Sequence, residues 1–129
     1  MAELVFATEM KGNLAPVEGQ EGTFTFRANG TGPNGEAVTN QSDVVMEPDG
    51  FKETGTIEYA GRGKVFFETV GLGTLSPSPV ADLSCGAVVW RITGGEGEFQ
   101  GASGHITSNF AVTAAGEAVD NNYSRIFIP

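Results

Sequence analysis

Short runs rich in Val, Ile, Thr, Phe and Tyr alternate by twos along this chain, and glycine-bearing turn signals interrupt them at near-regular intervals. Strict alternation puts successive side chains on opposite faces of an extended strand, whereas an amphipathic helix needs apolar residues at i, i+3, i+4 and i+7. No window sustains the helical spacing, so the chain reads as all-β. Nineteen glycines in 129 residues fall between the runs without a three-residue period, which excludes collagen-like and low-complexity readings.

Eight strands are predicted: Glu3 to Lys11, Gly22 to Ala28, Glu36 to Glu47, Phe51 to Ala60, Gly63 to Leu72, Ser84 to Thr93, Gly104 to Thr113 and Glu117 to Ile128. Connections such as Pro48-Asp49-Gly50, Gly61-Arg62-Gly63 and Ala114-Ala115-Gly116 are short, with glycine supplying positive φ and proline presetting a turn. Sequential hairpins favour an up-and-down meander. Eight antiparallel strands of this length close naturally into a β-barrel, which removes exposed edges; a two-sheet β-sandwich is the alternative. The longest irregular stretch, Gly73 to Leu83, carries Pro77 and Pro79 and reads as a loop over the barrel mouth or a surface crossover.

Charge and rare residues exclude several function classes. Seven basic against sixteen acidic residues give a net charge of −9, so nucleic acid and anionic membrane surfaces are not expected partners. One cysteine, Cys85, cannot close an internal disulfide, and with one histidine, His105, the chain lacks a His-rich or four-cysteine metal set, so no metal is expected. The first residues lack a signal-peptide pattern and no stretch approaches the ~18 consecutive apolar residues of a membrane helix, so a soluble, cytoplasmic single domain over 1–129 is expected. Cys85 reads as a packed small hydrophobe, His105 as a solvated or rim residue, and Glu96 and Glu98 as a solvated turn surface.

Taking the more apolar parity of each strand as inward gives a lumen of Leu4, Phe6, Phe24, Phe26, Val38, Val44, Ile57, Val65, Phe67, Val88, Ile92, Ile106 and Val112, among others. Polar residues share that parity. Glu53, Tyr59, Asn40 and, on the last strand, Asn121, Tyr123 and Arg125 all fall inward, as does Trp90. An unpaired buried polar atom costs about 1–3 kcal/mol, so a lumen filled only for stability has little use for them. They read as placed polar groups that orient a mostly apolar guest. The structural alternative is an internal Glu53–Arg125 ion pair with hydrogen-bonding tyrosines near a wet barrel end.

The segment Ile92-Thr93-Gly94-Gly95-Glu96-Gly97-Glu98-Phe99-Gln100-Gly101-Ala102-Ser103-Gly104 resembles the glycine signature of allene oxide cyclases, and its Gly-Gly-x-Gly-x-Phe core is similar to a segment of plant dirigent proteins. A dinucleotide-binding reading of these glycines would need a following helix, which the pattern lacks. Read physically, Gly94, Gly95 and Gly97 permit tight or left-handed backbone and Phe99 anchors a turn on the barrel. The resemblance implies an eight-stranded barrel, commonly trimeric, whose lumen holds a reactive intermediate while it cyclises, with no cofactor. It also implies a first-strand glutamate. The candidate is Glu9, followed by Lys11 where the cyclases carry asparagine.

The resulting expectation is a cofactor-independent cyclase or isomerase that binds a small apolar molecule, with Glu53, Glu9 and Tyr123 as catalytic candidates. Asn40, Tyr59, Trp90, Asn121 and Arg125 are the candidates for contacting the substrate. A homo-oligomer, trimer or dimer, is expected by the same resemblance. The alternative function is a noncatalytic barrel that carries a small hydrophobic ligand.

Overall fold

The computed structural model describes residues 1–129 as nine antiparallel strands without a helix. They are β1 (Ala2–Pro16), β2 (Thr23–Thr31), β3 (Ala37–Glu47), β4 (Gly50–Tyr59), β5 (Gly63–Thr69), β6 (Thr74–Pro77), β7 (Leu83–Gly97), β8 (Ser103–Thr113) and β9 (Glu117–Ile128). Their order is β5-β4-β3-β2-β1-β9-β8-β7-β6, and an additional pairing of β5 with β7 closes the sheet. The result is the expected eight-stranded up-and-down barrel with one extra strand. Of 93 backbone hydrogen bonds, 73 lie within the strands, so closure leaves little unpaired edge.

The glycine segment turns out to be the closing seam. Gly94, Gly95, Glu96 and Gly97 do not form a turn; they extend β7 and pair with Phe66, Val65, Lys64 and Gly63 of β5. The two strands approach so closely that a Cβ on Gly95 would lie 2.6 Å from the Lys64 carbonyl oxygen and 2.4 Å from that of Phe99. Any side chain there would hold the seam open. The turn follows at 98–102, and it folds Phe99 back under the barrel end, where its ring is fully buried 5.1 Å from that of Tyr59.

The extra strand corrects the predicted loop Gly73 to Leu83. β7 has fifteen residues and β5 only seven, so β5 covers only the Trp90–Gly97 half of that edge. Thr74–Pro77 supplies partners for Ser84–Ala87. Gly73 allows the crossover, because a Cβ there would lie 2.3 Å from the Phe51 ring.

Nineteen buried apolar residues form one core along the bore. The end bounded by residues 32–36, 60–62 and 98–102 is packed. Its plug is Phe99 and Tyr59, with Phe6 edge-on to Tyr59 at 5.9 Å, and Arg62 lies over the Phe99 ring. Arg62 also reaches Glu36 at 3.0 Å and Glu98 at 3.6 Å, which ties three connections together. At the opposite end, between the β1–β2, β3–β4 and β8–β9 turns, the packing opens.

Candidate functional site

The open end contains a cavity of about 60 Å³ walled by Phe26, Val44, Met46, Phe51, Phe110 and Val112, with Glu53, Ser108 and Asp120 contributing its polar groups. Rim residues Met46 and Leu75 are partly exposed, so the space communicates with solvent. It admits several water molecules or one compact organic group, and is well below the about 300–1,000 Å³ of pockets that enclose drug-sized molecules.

Two carboxyl groups share this space. Glu53 comes from β4 and is 5 % exposed; Asp120 comes from β9 and is 2 % exposed. Each receives a single hydroxyl donor: Ser42 Oγ donates to Glu53 Oε2 at 2.5 Å, and Ser108 Oγ donates to Asp120 Oδ1. The other oxygen of each carboxyl takes no hydrogen bond from the protein, and no lysine or arginine lines the cavity. Burial pushes Glu53 up to about 7; the Ser42 hydrogen bond opposes this and the nearby Asp120 charge adds to it. Burial likewise raises Asp120 to about 6, against its hydrogen bond from Ser108. Thr69 Oγ1 fixes the strand around Glu53, accepting from its N–H at 2.6 Å and donating to its carbonyl at 2.9 Å.

A second polar layer lies deeper in the barrel. Asn40 and Asn122 are buried with neither amide atom hydrogen-bonded, and the Trp90 indole N–H is equally without a partner. That indole favours the ionised form of Glu53 but stops short of hydrogen-bond geometry. The Tyr59 phenol is pushed well above its ordinary value by burial, against a favourable contact from Ser124.

Four of the sequence-nominated residues, Glu53, Asn40, Tyr59 and Trp90, therefore point into the barrel. The other four lie outside it. Tyr123 is 56 % exposed, Asn121 shares its outward parity, and Arg125 pairs with Glu3 at 2.9 Å while stacking on Phe127. The inward face of β9 is Ala118, Asp120, Asn122, Ser124 and Ile126. The reason is volume: large side chains such as Trp90, Tyr59 and Phe67 already fill the bore, so the last strand must present small residues to it. The internal Glu53–Arg125 pair accordingly does not form. Glu9 also faces solvent, where it meets Lys11 at 3.6 Å.

Asp120, Ser42 and Ser108 were not among the nominated site residues. Ser42 shares the inward parity of Asn40 and Ser108 that of Ile106, whereas Asp120 has the parity opposite to Asn121, Tyr123 and Arg125. The signal for Asp120 was the run of small residues at alternate positions in β9, complementary to the bulky set on the other strands. Cys85, expected to be packed, is exposed on the outer face of β7, because β7 turns its even-numbered residues inward from Val88 to Ile92. His105 is exposed, as expected.

Fold and site together define a closed antiparallel β-barrel with a carboxyl pair in an apolar-walled mouth. No protein-family model matches the chain, and no curated protein or solved structure matches it either.

Proposed function

We propose that this barrel is a cofactor-independent isomerase or cyclase, related in manner to the allene oxide cyclases its glycine segment resembles, that acts on a compact and mainly apolar guest in the mouth cavity. The observation that carries the reading is the Glu53–Asp120 pair, held without a cationic partner on an apolar cavity. Two carboxyls near neutrality can divide the work of proton transfer. One carboxylate takes a proton from the guest, a carboxyl of the pair returns a proton to another atom, and the guest leaves as an isomer with its composition unchanged. The apolar walls limit the guest's conformers and keep water from a reactive intermediate. On this reading the carboxylate role that the resemblance assigned to Glu9 falls to Glu53.

The test is incubation in D2O with a library of compact molecules of fewer than about eight non-hydrogen atoms, followed by mass spectrometry of bound and free compounds. Catalysis predicts a rearranged or deuterium-labelled product, and its loss in Glu53→Gln and Asp120→Asn with the fold retained. A guest that is bound and returned unlabelled selects the noncatalytic carrier instead. Absence of any bound guest overturns both.

A further inference from the structure

Buried carboxyls in folded proteins usually face a lysine, an arginine or a metal, because an ion without a partner is costly in a low-dielectric interior. Glu53 and Asp120 face neither a lysine nor an arginine. Each keeps one carboxyl oxygen without a protein hydrogen bond, and both residues line a cavity whose walls include three aromatic rings, Phe26, Phe51 and Phe110. The faces of such rings carry negative potential, and polarisable sulfur such as that of Met46 completes the kind of surface that accommodates alkylated ammonium groups. The walls thus offer aliphatic contact, aromatic rings and two carboxyl groups, and no cationic side chain.

The outside of the same wall continues the pattern. Glu53 also borders an open groove between β4 and β5, where Glu47 and Asp49 stand against one base, Lys52, while Glu68 is paired with Arg91. On a chain of net charge −9, that acidic approach concentrates cations next to the mouth and disfavours anions.

We propose that the guest of the mouth cavity is a small organic cation: a primary, secondary or methylated alkylammonium whose charged nitrogen sits between Glu53 and Asp120 and whose alkyl groups pack on Phe26, Phe51 and Phe110. This rests on the reading of the cavity as the functional site and names the class of molecule that site takes. The cavity limits the alkyl part to a few carbons, so long-chain amines and polyamines are excluded by size. Entry of the cation displaces the proton that the two carboxyls otherwise retain, and an ammonium–carboxylate ion pair replaces an uncompensated acid.

Isopropylammonium chloride and 2-propanol, a neutral molecule of nearly the same shape, test the charge requirement on the intact protein, with sodium chloride matching the ionic strength. Binding is read by amide and methyl NMR shifts of cavity residues and by proton release in weakly buffered solution near pH 6.5. The expected result is at least about tenfold tighter binding of the ammonium, with shifts confined to cavity residues and protons released on binding. Glu53→Gln and Asp120→Asn should each reduce that preference severalfold, and should either variant fail to fold, proton release by the wild-type protein still decides. Equal binding of the two probes inside the cavity overturns the cationic guest while leaving the cavity as the functional site. Binding of neither overturns both, and cation-induced shifts confined to the outer acidic groove overturn the cavity site.

Discussion

Glu36 and Glu53 stand at opposite ends of one barrel and show how surroundings set the state of the same side chain. At the packed end, burial acts to raise Glu36, but the Arg62 guanidinium at 3.0 Å and the Asn34 N–H at 2.9 Å outweigh it and hold the carboxyl below its ordinary value. At the open end burial acts on Glu53 with the Ser42 hydroxyl and the Trp90 indole in opposition but no cation, and the group rises to about 7. One carboxylate is finished structure; the other is left with unused bonding capacity. The packed end spends its aromatic residues on a plug, Phe99 over Tyr59, whereas the open end lines a space with Phe26, Phe51 and Phe110. A stable barrel needs only the first arrangement. The second costs stability, and that cost is what supports the proposal of a site at the open end.

The largest expected effect comes from breaking the packed end. Phe99→Ala removes a fully buried ring from the plug and should cost about 3–5 kcal/mol in urea unfolding. Little change in the unfolding midpoint would mean that the plug is not what closes that end.

The next effect is a pH dependence set by the open end. Glu53 and Asp120 have native values near 7 and 6 against ordinary values of 4.5 and 3.8, so between these limits the native state binds more protons than the unfolded chain. Their contribution is therefore fully present below about pH 4 and is lost as pH rises to 7. For Glu53 alone the loss is roughly 3 kcal/mol, and it should be absent in Glu53→Gln. Unfolding free energies measured at intervals from pH 4.5 to 7.5 check this, and a difference between wild type and variant that does not vary with pH would contradict the burial of an uncompensated acid. Glu36 moves in the opposite direction, so Glu36→Gln should lose stability relative to wild type as pH rises through the carboxylate range.

The smallest effect sharpens the inside–outside assignment. Tyr123→Phe changes a half-exposed phenol on the outer face of β9 and should alter stability by less than about 0.5 kcal/mol, with no change in guest binding. A loss of binding would return Tyr123 to the site.

Much of the fold was legible because the period-two rule is local. In seven strands the more apolar parity is the inward one, and Glu53, Asn40, Tyr59 and Trp90 were found by that rule alone. The rule failed in β9, where the inward residues are the smaller and more polar ones, since hydrophobicity was used where available volume was decisive. Strand β6 was missed for a related reason. Thr74–Pro77 has little apolar content, and it is extended because half of the β7 edge needed backbone partners. The glycine segment was recognised as structural, but its place as a seam within β7 depended on how closely β5 approaches it.

The sequence by itself determined that this chain is all-β, that its strands run in hairpin succession, and that polar groups stand among the apolar residues of the bore. Alternation and turn chemistry are properties of neighbouring residues, so they can be read without coordinates. Only the tertiary structure decided that Asp120 joins Glu53, that Arg125 does not, and that one end of the barrel is plugged while the other holds a cavity. These outcomes depend on how side chains from distant strands divide one enclosed volume, and that division is fixed when the barrel closes.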